Sequence, residues 1–269
     1  MSGTCSSRLA SHRRDRPATR LASARLGALV ATLAIVLALP SRAAAPERPL
    51  IAIDVGHSLA WPGAISARGV PEFQFNRTLA MVVERTLRAR GFRTRLIGEQ
   101  GDLDTLTGRT AAAADAKAIF FLSLHHDSVQ ERYLESWPVD GRERRYSDRF
   151  SGYSLFVSRK NPNPAKSLAC ASAFGEAMRS QGFAPSLHHA EPIPGENRPL
   201  ADAPNGVYYF DDLVVLKTAA SPAVLVEAGI ILNRDDERVL GEPATRERIA
   251  RAIANGLTDC LADSRGDRP

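Results

Sequence analysis

The amino-acid sequence predicts an α/β fold: a single domain with a twisted, mostly parallel sheet of about six strands, flanked by helices. Two observations carry this prediction. Short continuous apolar runs, which are typical of strands buried on both faces, occur at 50–55, 118–124 and 222–228. Segments with apolar residues at helical spacing lie between them. Strands that alternate with helices favour a parallel sheet.

The first half of this domain alternates between strands and helices. In chain order its elements are a strand over 50–55, a helix over 72–90, a strand over 92–97, a helix over 105–116 and a strand over 118–124. Gly91 marks the end of the first helix, directly after two arginines. The continuously apolar run at 118–124 is the best candidate for a central strand.

The second half contains two segments without clear periodicity. Residues 128–150 are highly charged and are predicted to be a surface loop or a short insertion. Residues 184–206 are rich in proline and are predicted to be a long loop at the rim of the site or a mobile cover. The remaining predicted elements are strands over 152–158 and 222–228 and helices over 164–181, 234–240 and 243–262.

Residues 1–45 are predicted to be a signal peptide, followed by a folded domain over 46–263 and a disordered tail over 264–269. An arginine-rich start precedes an apolar stretch and a small-residue segment suited to cleavage. The apolar stretch is shorter than the roughly 20 residues of a membrane-spanning helix. An uncleaved anchor is the alternative, and the pair Arg13-Arg14 leaves twin-arginine export open. The leader predicts a periplasmic or secreted protein.

The charge of the chain is unevenly distributed. The whole chain has 35 Lys and Arg residues against 30 Asp and Glu, a formal net charge of +5. Residues 1–45 hold seven arginines and one aspartate, which leaves 28 basic and 29 acidic residues after position 45. The positive charge therefore belongs to the leader, and we expect no nucleic-acid partner.

Two of the three cysteines, Cys170 and Cys260, follow the leader, each in a predicted helix. They could form a disulfide in an oxidising compartment. The slightly preferred interpretation is two small, buried apolar side chains. Neither has a Cys or His at the spacing of zinc ligands.

Four polar residues stand at the ends of predicted elements. His57, His125 and Glu227 each close an apolar run, and Glu72 follows a proline where a helix should begin. Buried strands would deliver the first three to one edge of the sheet. Two imidazoles and two carboxylates are what a hydrolytic zinc site with its general base requires. His125 is preferred over His126 because side chains alternate along a strand.

Other roles are open for several of these polar residues. Glu72 could be a first-turn carboxylate that the helix dipole favours. Glu227 is harder to explain in this way, because an unpaired buried carboxylate is expensive and calls for a metal, a cation or a catalytic task.

Four further polar residues are predicted to support the site or to lie outside it. Asp54 is predicted to hold the loop or to orient His57, and Arg109 is predicted to form a structural ion pair with the helix or loop around it. The pair His188-His189 could line a cleft, but exposure to solvent in a proline-rich loop is the preferred interpretation.

Several motifs occur in a characteristic order. They are Asp54-Val55-Gly56-His57, Gly63-Ala64, Glu72 with Asn76 and Leu79, Arg109 before Ser123-Leu124-His125, Ser151-Gly152, and Pro222 to Gly229 followed by Asn233. Together they resemble the zinc-dependent N-acetylmuramoyl-L-alanine amidases, the Amidase_3 family of bacterial cell-wall hydrolases. The resemblance covers roughly residues 50–258.

The resemblance implies a phosphorylase/hydrolase-like fold and a zinc amidase catalytic domain. It implies Zn²⁺ held by His57, Glu72 and His125, with Glu227 as catalytic acid and base. The implied substrate is the amide between N-acetylmuramic acid and L-alanine of the stem peptide in peptidoglycan or muropeptides. We expect a monomer.

Some members of the family carry a helix that plugs the zinc site until an activator protein binds. In this chain only 128–150 and 184–206 could supply such a cover, and neither segment is a clear helix. An activator protein is therefore a candidate partner.

One loop departs from the family pattern. Ser58-Leu59-Ala60-Trp61-Pro62 stands where the family is usually glycine-rich. Trp61 would offer a stacking face or narrow the entrance. This departure keeps a second hypothesis open, a peptidoglycan-binding protein with reduced catalysis. A third hypothesis is a zinc peptidase that cuts within the stem peptide.

Overall fold

A seven-stranded sheet forms the centre of the computed structural model, which describes residues 48–263. The strands of the described residues are β1 (Leu50–Val55), β2 (Arg93–Ile97), β3 (Phe120–Asp127), β4 (Glu135–Val139), β5 (Arg142–Tyr146), β6 (Ser154–Val157), β7 (Leu200–Asp202), β8 (Val207–Tyr209) and β9 (Ala223–Ile230). The sheet has the order β2-β1-β3-β9-β6-β8-β7, and β4 pairs with β5 apart from it.

Most neighbours in this sheet are parallel. Strands β2, β1, β3 and β9 are neighbours in this order and run parallel to one another, and β6 is parallel to β8. Only β6 against β9 and β7 against β8 are antiparallel. The predicted α/β fold with a mostly parallel sheet is therefore confirmed. The strands β7 and β8 have three residues each, which is too short for an apolar pattern to reveal them.

Helices cover both faces of the sheet. In the described part of the chain the α-helices are α1 (Glu72–Ala89), α2 (Leu106–Asp115), α3 (Pro164–Ser180), α4 (Val214–Thr218), α5 (Arg234–Leu240) and α6 (Pro243–Asp263). Helices α1, α3 and α6 contribute to the hydrophobic cluster on one face, whereas α2 and α4 contribute to the cluster on the other. All described residues belong to one compact unit.

Strand β1 shows why the central strands are continuously apolar. The side chains of Ile51, Ile53 and Val55 lie in the larger cluster, and that of Ala52 lies in the smaller one. All four are fully buried. Because successive side chains point to opposite faces and both faces are covered, both sets are almost entirely apolar. The one polar side chain of the strand, Asp54, is buried near its carboxyl end and has Arg109 and Ser123 as partners.

The segment predicted as a loop or insertion over 128–150 contains a β-hairpin. Strands β4 and β5 pair in antiparallel register from Glu135 opposite Tyr146 to Val139 opposite Arg142. They are joined by Asp140-Gly141, whose φ angles are 47° and 74°. An Asp-Gly pair with positive φ is the standard signal for a two-residue hairpin turn. The sequence contains this Asp-Gly signal, although the high charge of the segment favoured the prediction of a surface loop.

The proline-rich segment 184–206 is attached to the sheet rather than free. It contains 3₁₀ turns at His188–Ala190 and Ala203–Asn205, and its strand β7 lies at the sheet edge. Neither this segment nor 128–150 contains an α-helix. The structure therefore shows no helical plug within these two candidate covers.

Cys170 of α3 and Cys260 of α6 form a disulfide with an S–S distance of 2.10 Å. The preferred sequence interpretation, two unlinked apolar side chains, is therefore wrong, although both residues are buried. The bond joins two helices that already pack against each other on one face of the sheet. A disulfide of this kind is typical of an oxidising compartment.

The predicted signal peptide over 1–45 and the predicted tail over 264–269 lie outside the described residues. Among residues 48–263, no helix combines the length and the apolar character needed to cross a membrane.

The disulfide predicts a sensitivity of the folded protein to reductant. The cross-link spans 90 residues, and closing a loop of that size stabilises a protein by about 4–5 kcal/mol in the chain-entropy description. We expect dithiothreitol to lower the melting temperature by on the order of 10 °C. The control is the double variant Cys170→Ala/Cys260→Ala, which should melt low with or without reductant. Equal melting of wild type in both conditions, with thiols shown to be free, would contradict the prediction.

Candidate active site

The carboxyl ends of β1, β3 and β9 lie side by side and carry the site. Asp54 stands opposite Ser123 in β3, and His125 stands opposite Glu227 in β9. His57 follows β1 by two residues. Because these strands are parallel, their polar ends meet at one edge of the sheet, where α/β proteins place their ligands.

A buried arginine fixes the turn after β1. Arg109 in α2 forms an ion pair with Asp54, with 2.7 Å between Nη1 and Oδ1, and both side chains are buried. It also donates hydrogen bonds to the carbonyls of Val55, His57 and Leu103. The structural ion pair expected of Arg109 is present, but its partner is Asp54 of β1 rather than the helix or loop around the arginine.

His57 leaves the strand in a left-handed backbone conformation, with φ 67°. A residue other than glycine is uncommon in this region, and such residues are often found at functional sites. The second carboxylate oxygen of Asp54 accepts a hydrogen bond from Ser123 at 2.7 Å. Asp54 therefore holds the strand end in place. Its carboxylate accepts hydrogen bonds from Arg109 and Ser123 rather than from His57.

Glu72, the first residue of α1, joins the two histidines. Its Oε2 lies 2.9 Å from Nε2 of His57, and its Oε1 lies 3.0 Å from Nδ1 of His125. The amide of Asn76 donates to Oε1 at 3.0 Å. Burial opposes ionisation of this carboxyl, but the hydrogen bonds from His125 and His57 outweigh it and lower the pKa of Glu72 well below its usual range.

His126 points away from this group and into the protein. Its Nδ1 lies 2.7 Å from Oδ1 of Asn76, and Asn76 in turn donates to Glu72 and to the carbonyl of Gly56. Burial lowers the pKa of His126 to about 4, so its ring is neutral. His126 therefore supports Asn76. Because His126 and Asn76 are 50 positions apart, no local pattern indicates this contact.

Two glycines allow the side chains of the site to approach the backbone. A Cβ atom on Gly56 would lie 2.3 Å from Nε2 of His125. A Cβ atom on Gly63, whose φ is +79°, would lie 2.4 Å from Oε2 of Glu72. The glycines of two sequence motifs thus leave the space in which the imidazoles and the carboxylate meet.

The three residues form a group suited to a metal ion. The potential ligand atoms of His57, Glu72 and His125 all lie within 4.8 Å of one another. Two imidazole nitrogens and one carboxylate oxygen are a donor set that zinc accepts, with a fourth position left for water or substrate. The chemistry of the donor set and the space left by the glycines fit such an ion.

Glu227 lies beside this group and has a different environment. Its Oε2 atom is buried and has no hydrogen-bond partner among the described residues. Burial and the negative charges of Asp127 and Glu72 raise the pKa of Glu227 well above its usual range, against the opposing charge of Arg198. A carboxyl group in a cleft whose pKa is strongly raised is a candidate for acid–base work.

A cavity of about 370 Å³ opens next to these residues on the α2 and α4 side of the sheet. His57, His125 and Glu227 line its polar part. The other lining side chains are mostly apolar and include Trp61, Leu106, Phe156, Phe210, Leu213 and Val215. Trp61 is 71% exposed, which places an aromatic face beside the cavity. Apart from Trp61, the sequence pattern did not identify these wall residues.

His188 and His189 are buried, so the preferred expectation of a solvated pair is wrong. Both lie near Asp127 at the end of β3. A His-His pair in a proline-rich segment does not reveal its burial, because the contact joins residues about sixty positions apart in the sequence.

Comparison with known proteins gives these residues a family context. Residues 51–259 match the Amidase_3 family, described as N-acetylmuramoyl-L-alanine amidase. The chain belongs to this family. It is 27% identical over 221 residues to N-acetylmuramoyl-L-alanine amidase AmiA of Salmonella typhimurium, covering 78% of this chain and 75% of that protein.

Solved structures share the fold. The N-acetylmuramyl-L-alanine amidase Ami1 from Mycobacterium smegmatis superposes with a TM-score of 0.63 at 21% identity, covering 80% of this chain and 97% of that one. The CwlD amidase from Clostridioides difficile, solved in complex with the GerS lipoprotein, has a TM-score of 0.58 at 18% identity, covering 80% and 100%.

Substitution of Gly56 by alanine tests the space around His125. We expect Gly56→Ala to displace this imidazole and to weaken zinc binding by roughly 10–100-fold, the range seen when supports of metal ligands are removed. The measurement is a competition titration with a zinc chelator. Gly241→Ala, at a glycine with φ −66°, is the control and should bind zinc as wild type does. Unchanged affinity in Gly56→Ala would refute the close-approach argument.

Replacement of Arg109 tests the support of the turn after β1. Arg109→Met leaves the Asp54 carboxylate buried without its partner, so we expect a loss of about 3–5 kcal/mol in the free energy of unfolding. Urea denaturation measures the loss. The matched control is Arg88→Met, whose side chain is 68% exposed, with an expected change within about 0.5 kcal/mol. Similar stabilities of the two variants would contradict the proposed importance of this pair.

Proposed function

We propose that this chain is an exported zinc hydrolase that cleaves the amide bond between N-acetylmuramic acid and the L-alanine of the stem peptide in peptidoglycan. One observation carries the mechanism. The carboxyl group of Glu227, whose Oε2 has no hydrogen-bond partner among the described residues, lines the same cavity as His57 and His125, next to the group that these histidines form with Glu72. Membership of the amidase family supports the choice of bond.

His57, Glu72 and His125 would hold the zinc ion. The lowered pKa of Glu72 keeps its carboxylate ionised, as a ligand must be. Asn76 fixes that carboxylate through Oε1. The chemistry supplied by a bound zinc ion is polarisation of a carbonyl oxygen and a lowered pKa for a water molecule.

Glu227 is the proposed proton carrier. As a base it accepts a proton from the attacking water, and as an acid it then gives that proton to the leaving amine nitrogen of L-alanine. Its raised pKa suits the second step, because a carboxyl group with an ordinary pKa is a poor proton donor at neutral pH. The apolar walls near Glu227, among them Phe156 and Leu225, limit the access of bulk water to that proton.

The cavity supports a substrate with an apolar or sugar face beside a polar amide. Its lining combines the polar edge of the sheet with the side chains of Leu106, Phe210 and Leu213. Trp61 offers an exposed ring of the kind on which a sugar or peptide can stack. The described residues thus supply an apolar wall and an aromatic ring in the same cavity that His57 and His125 line.

Export is supported from two directions. The leader over 1–45 has the features of a signal peptide, and the Cys170–Cys260 disulfide is typical of a periplasmic or secreted protein. A periplasmic or extracellular location also matches a peptidoglycan substrate. An accessory protein is a candidate partner, as in the complex of the CwlD amidase with the GerS lipoprotein.

The loop 58–62 favours a second candidate function, a peptidoglycan-binding protein with reduced catalysis. Leu59 and Trp61 are each 71% exposed on this loop and would suit binding without turnover. Digestion of intact peptidoglycan separates the possibilities. An amidase releases stem peptides that begin with L-alanine and leaves free lactyl ends on the glycan, whereas a peptidase leaves new termini within the stem. A binding protein yields no new termini.

The roles of the metal group and Glu227 predict different effects of substitution. We expect Glu227→Gln to keep its zinc and to lose roughly 10²–10⁴-fold in turnover, the usual contribution of a general acid–base group. His57→Ala should lose zinc and activity together, and a chelator should inactivate the wild type reversibly. Mass spectrometry of muropeptide products and elemental analysis measure these effects. The control is Glu176→Gln, at an exposed carboxylate of α3. Full turnover by Glu227→Gln would disprove the mechanism.

A further inference from the structure

A second group of potential metal ligands lies at the end of β3, apart from the cavity. It consists of Asp127, the last residue of β3, and of His188 and His189 in a 3₁₀ turn of the segment 184–206. All three are buried, with exposed fractions of 8%, 4% and 7% in that order. None of them lines the cavity that contains Glu227.

The two imidazoles direct the same nitrogen towards one carboxylate oxygen. Nε2 of His189 lies 2.8 Å from Oδ2 of Asp127, and Nε2 of His188 lies 3.5 Å from the same atom. The two rings are 3.8 Å apart between centroids. The ligand atoms of the three residues all lie within 4.8 Å of one another, as in the first group.

The other nitrogen of each ring has a partner behind it. Nδ1 of His189 lies 2.8 Å from Oε2 of Glu196, and Nδ1 of His188 lies 2.8 Å from Oγ of Ser186. Metal-ligating histidines almost always have their second nitrogen held by a carboxylate, a carbonyl or another polar group, which fixes the ring orientation. Both histidines of this turn have that arrangement.

A proton alone accounts for His189 but leaves His188 unexplained. Burial opposes protonation of His189, but the charges of Asp127 and Glu196 outweigh it and raise the pKa of this ring to about 9. His188 is different, because its Nε2 is buried and has no hydrogen-bond partner among the described residues. Leaving a buried nitrogen without a hydrogen-bond partner is energetically costly. A cation between His188, His189 and Asp127 would satisfy it.

We propose that Asp127, His188 and His189 bind a second transition-metal ion of the zinc class. Two imidazole nitrogens with one carboxylate oxygen favour zinc and its neighbours over calcium and magnesium, which prefer oxygen ligands. The site is structural, since its ligands are buried away from the cavity.

The ion would connect the segment 184–206 to the end of β3 behind a wall of the active-site cavity. The ring of His189 lies 4.9 Å from that of Phe156 between centroids, and Phe156 lines the cavity together with Glu227. Phe150 stacks on His188 from the other side, with 5.3 Å between ring centroids. Loss of the ion would therefore weaken the packing that supports Phe156. It would not remove any side chain that lines the cavity.

Zinc stoichiometry by elemental analysis of the folded protein tests the proposal. Wild type should bind two equivalents after dialysis against zinc, and His57→Ala, Asp127→Asn and His188→Gln should each bind one. One equivalent in the wild type, undiminished in His188→Gln, would overturn the second site and leave a proton-linked cluster. Amidase activity is not needed for this readout, so its absence would count against the proposed function and not against the second site.

A thermal measurement guards against variants that fold poorly. In the His57→Ala background, added zinc should still raise the melting temperature, because an ion that binds the folded state stabilises it. The increase should vanish in His57→Ala/His188→Gln, while circular dichroism shows that this protein is folded. An equal increase in both proteins would place the ion elsewhere and refute the assignment to His188.

Discussion

The buried ion pair between Arg109 and Asp54 is the constraint on which the site depends. The chain turns after β1, and the Arg109 guanidinium donates hydrogen bonds to its carbonyls at Val55 and His57. The five N–H donors of one guanidinium group can satisfy several such acceptors at once, which a lysine cannot do in the same geometry. With the turn held in this way, His57 can adopt its left-handed conformation and meet Glu72. The helix dipole also favours a carboxylate at this first position of α1, and the two sequence explanations of Glu72, a first-turn carboxylate and a metal ligand, are compatible with each other.

The surroundings of Glu72 and Glu227, the two carboxyl groups of the site, shift their pKa values in opposite directions. Glu72 is buried between two imidazoles and an amide, and these partners keep it ionised. Glu227 is buried beside other negative charges and has an oxygen without a hydrogen-bond partner among the described residues, and its pKa is raised well above the usual range. A low pKa suits a metal ligand and a raised pKa suits a proton carrier. In the proposed mechanism the same side-chain chemistry therefore serves two functions, and the difference in pKa arises from the neighbouring residues.

The sequence predicted the parts of this arrangement that depend on local pattern. Strands β1, β3 and β9 are buried on both faces, so they appear as continuous apolar runs whose ends place His57, His125 and Glu227 in order. Contacts between distant segments left no such trace. The disulfide joins cysteines 90 residues apart, and the burial of His188 and His189 depends on Asp127 in another element. The proline content of 184–206 correctly indicated irregular backbone, but composition cannot tell an exposed loop from one anchored by buried side chains.

Anchoring of the segment 184–206 changes where access to the site is controlled. The sequence suggested a rim or a mobile cover there, yet the segment is pinned by buried histidines and by strand β7, and none of its residues lines the cavity. Opening such a segment would expose the buried pair of Asp127 and His189, which makes it a poor cover. The cavity is instead bordered by Ser58, Trp61, Asp104 and Leu106, of which all but Ser58 are exposed. The loop 58–62, where the chain departs from the family pattern, is therefore the part of the described structure that we propose selects the substrate.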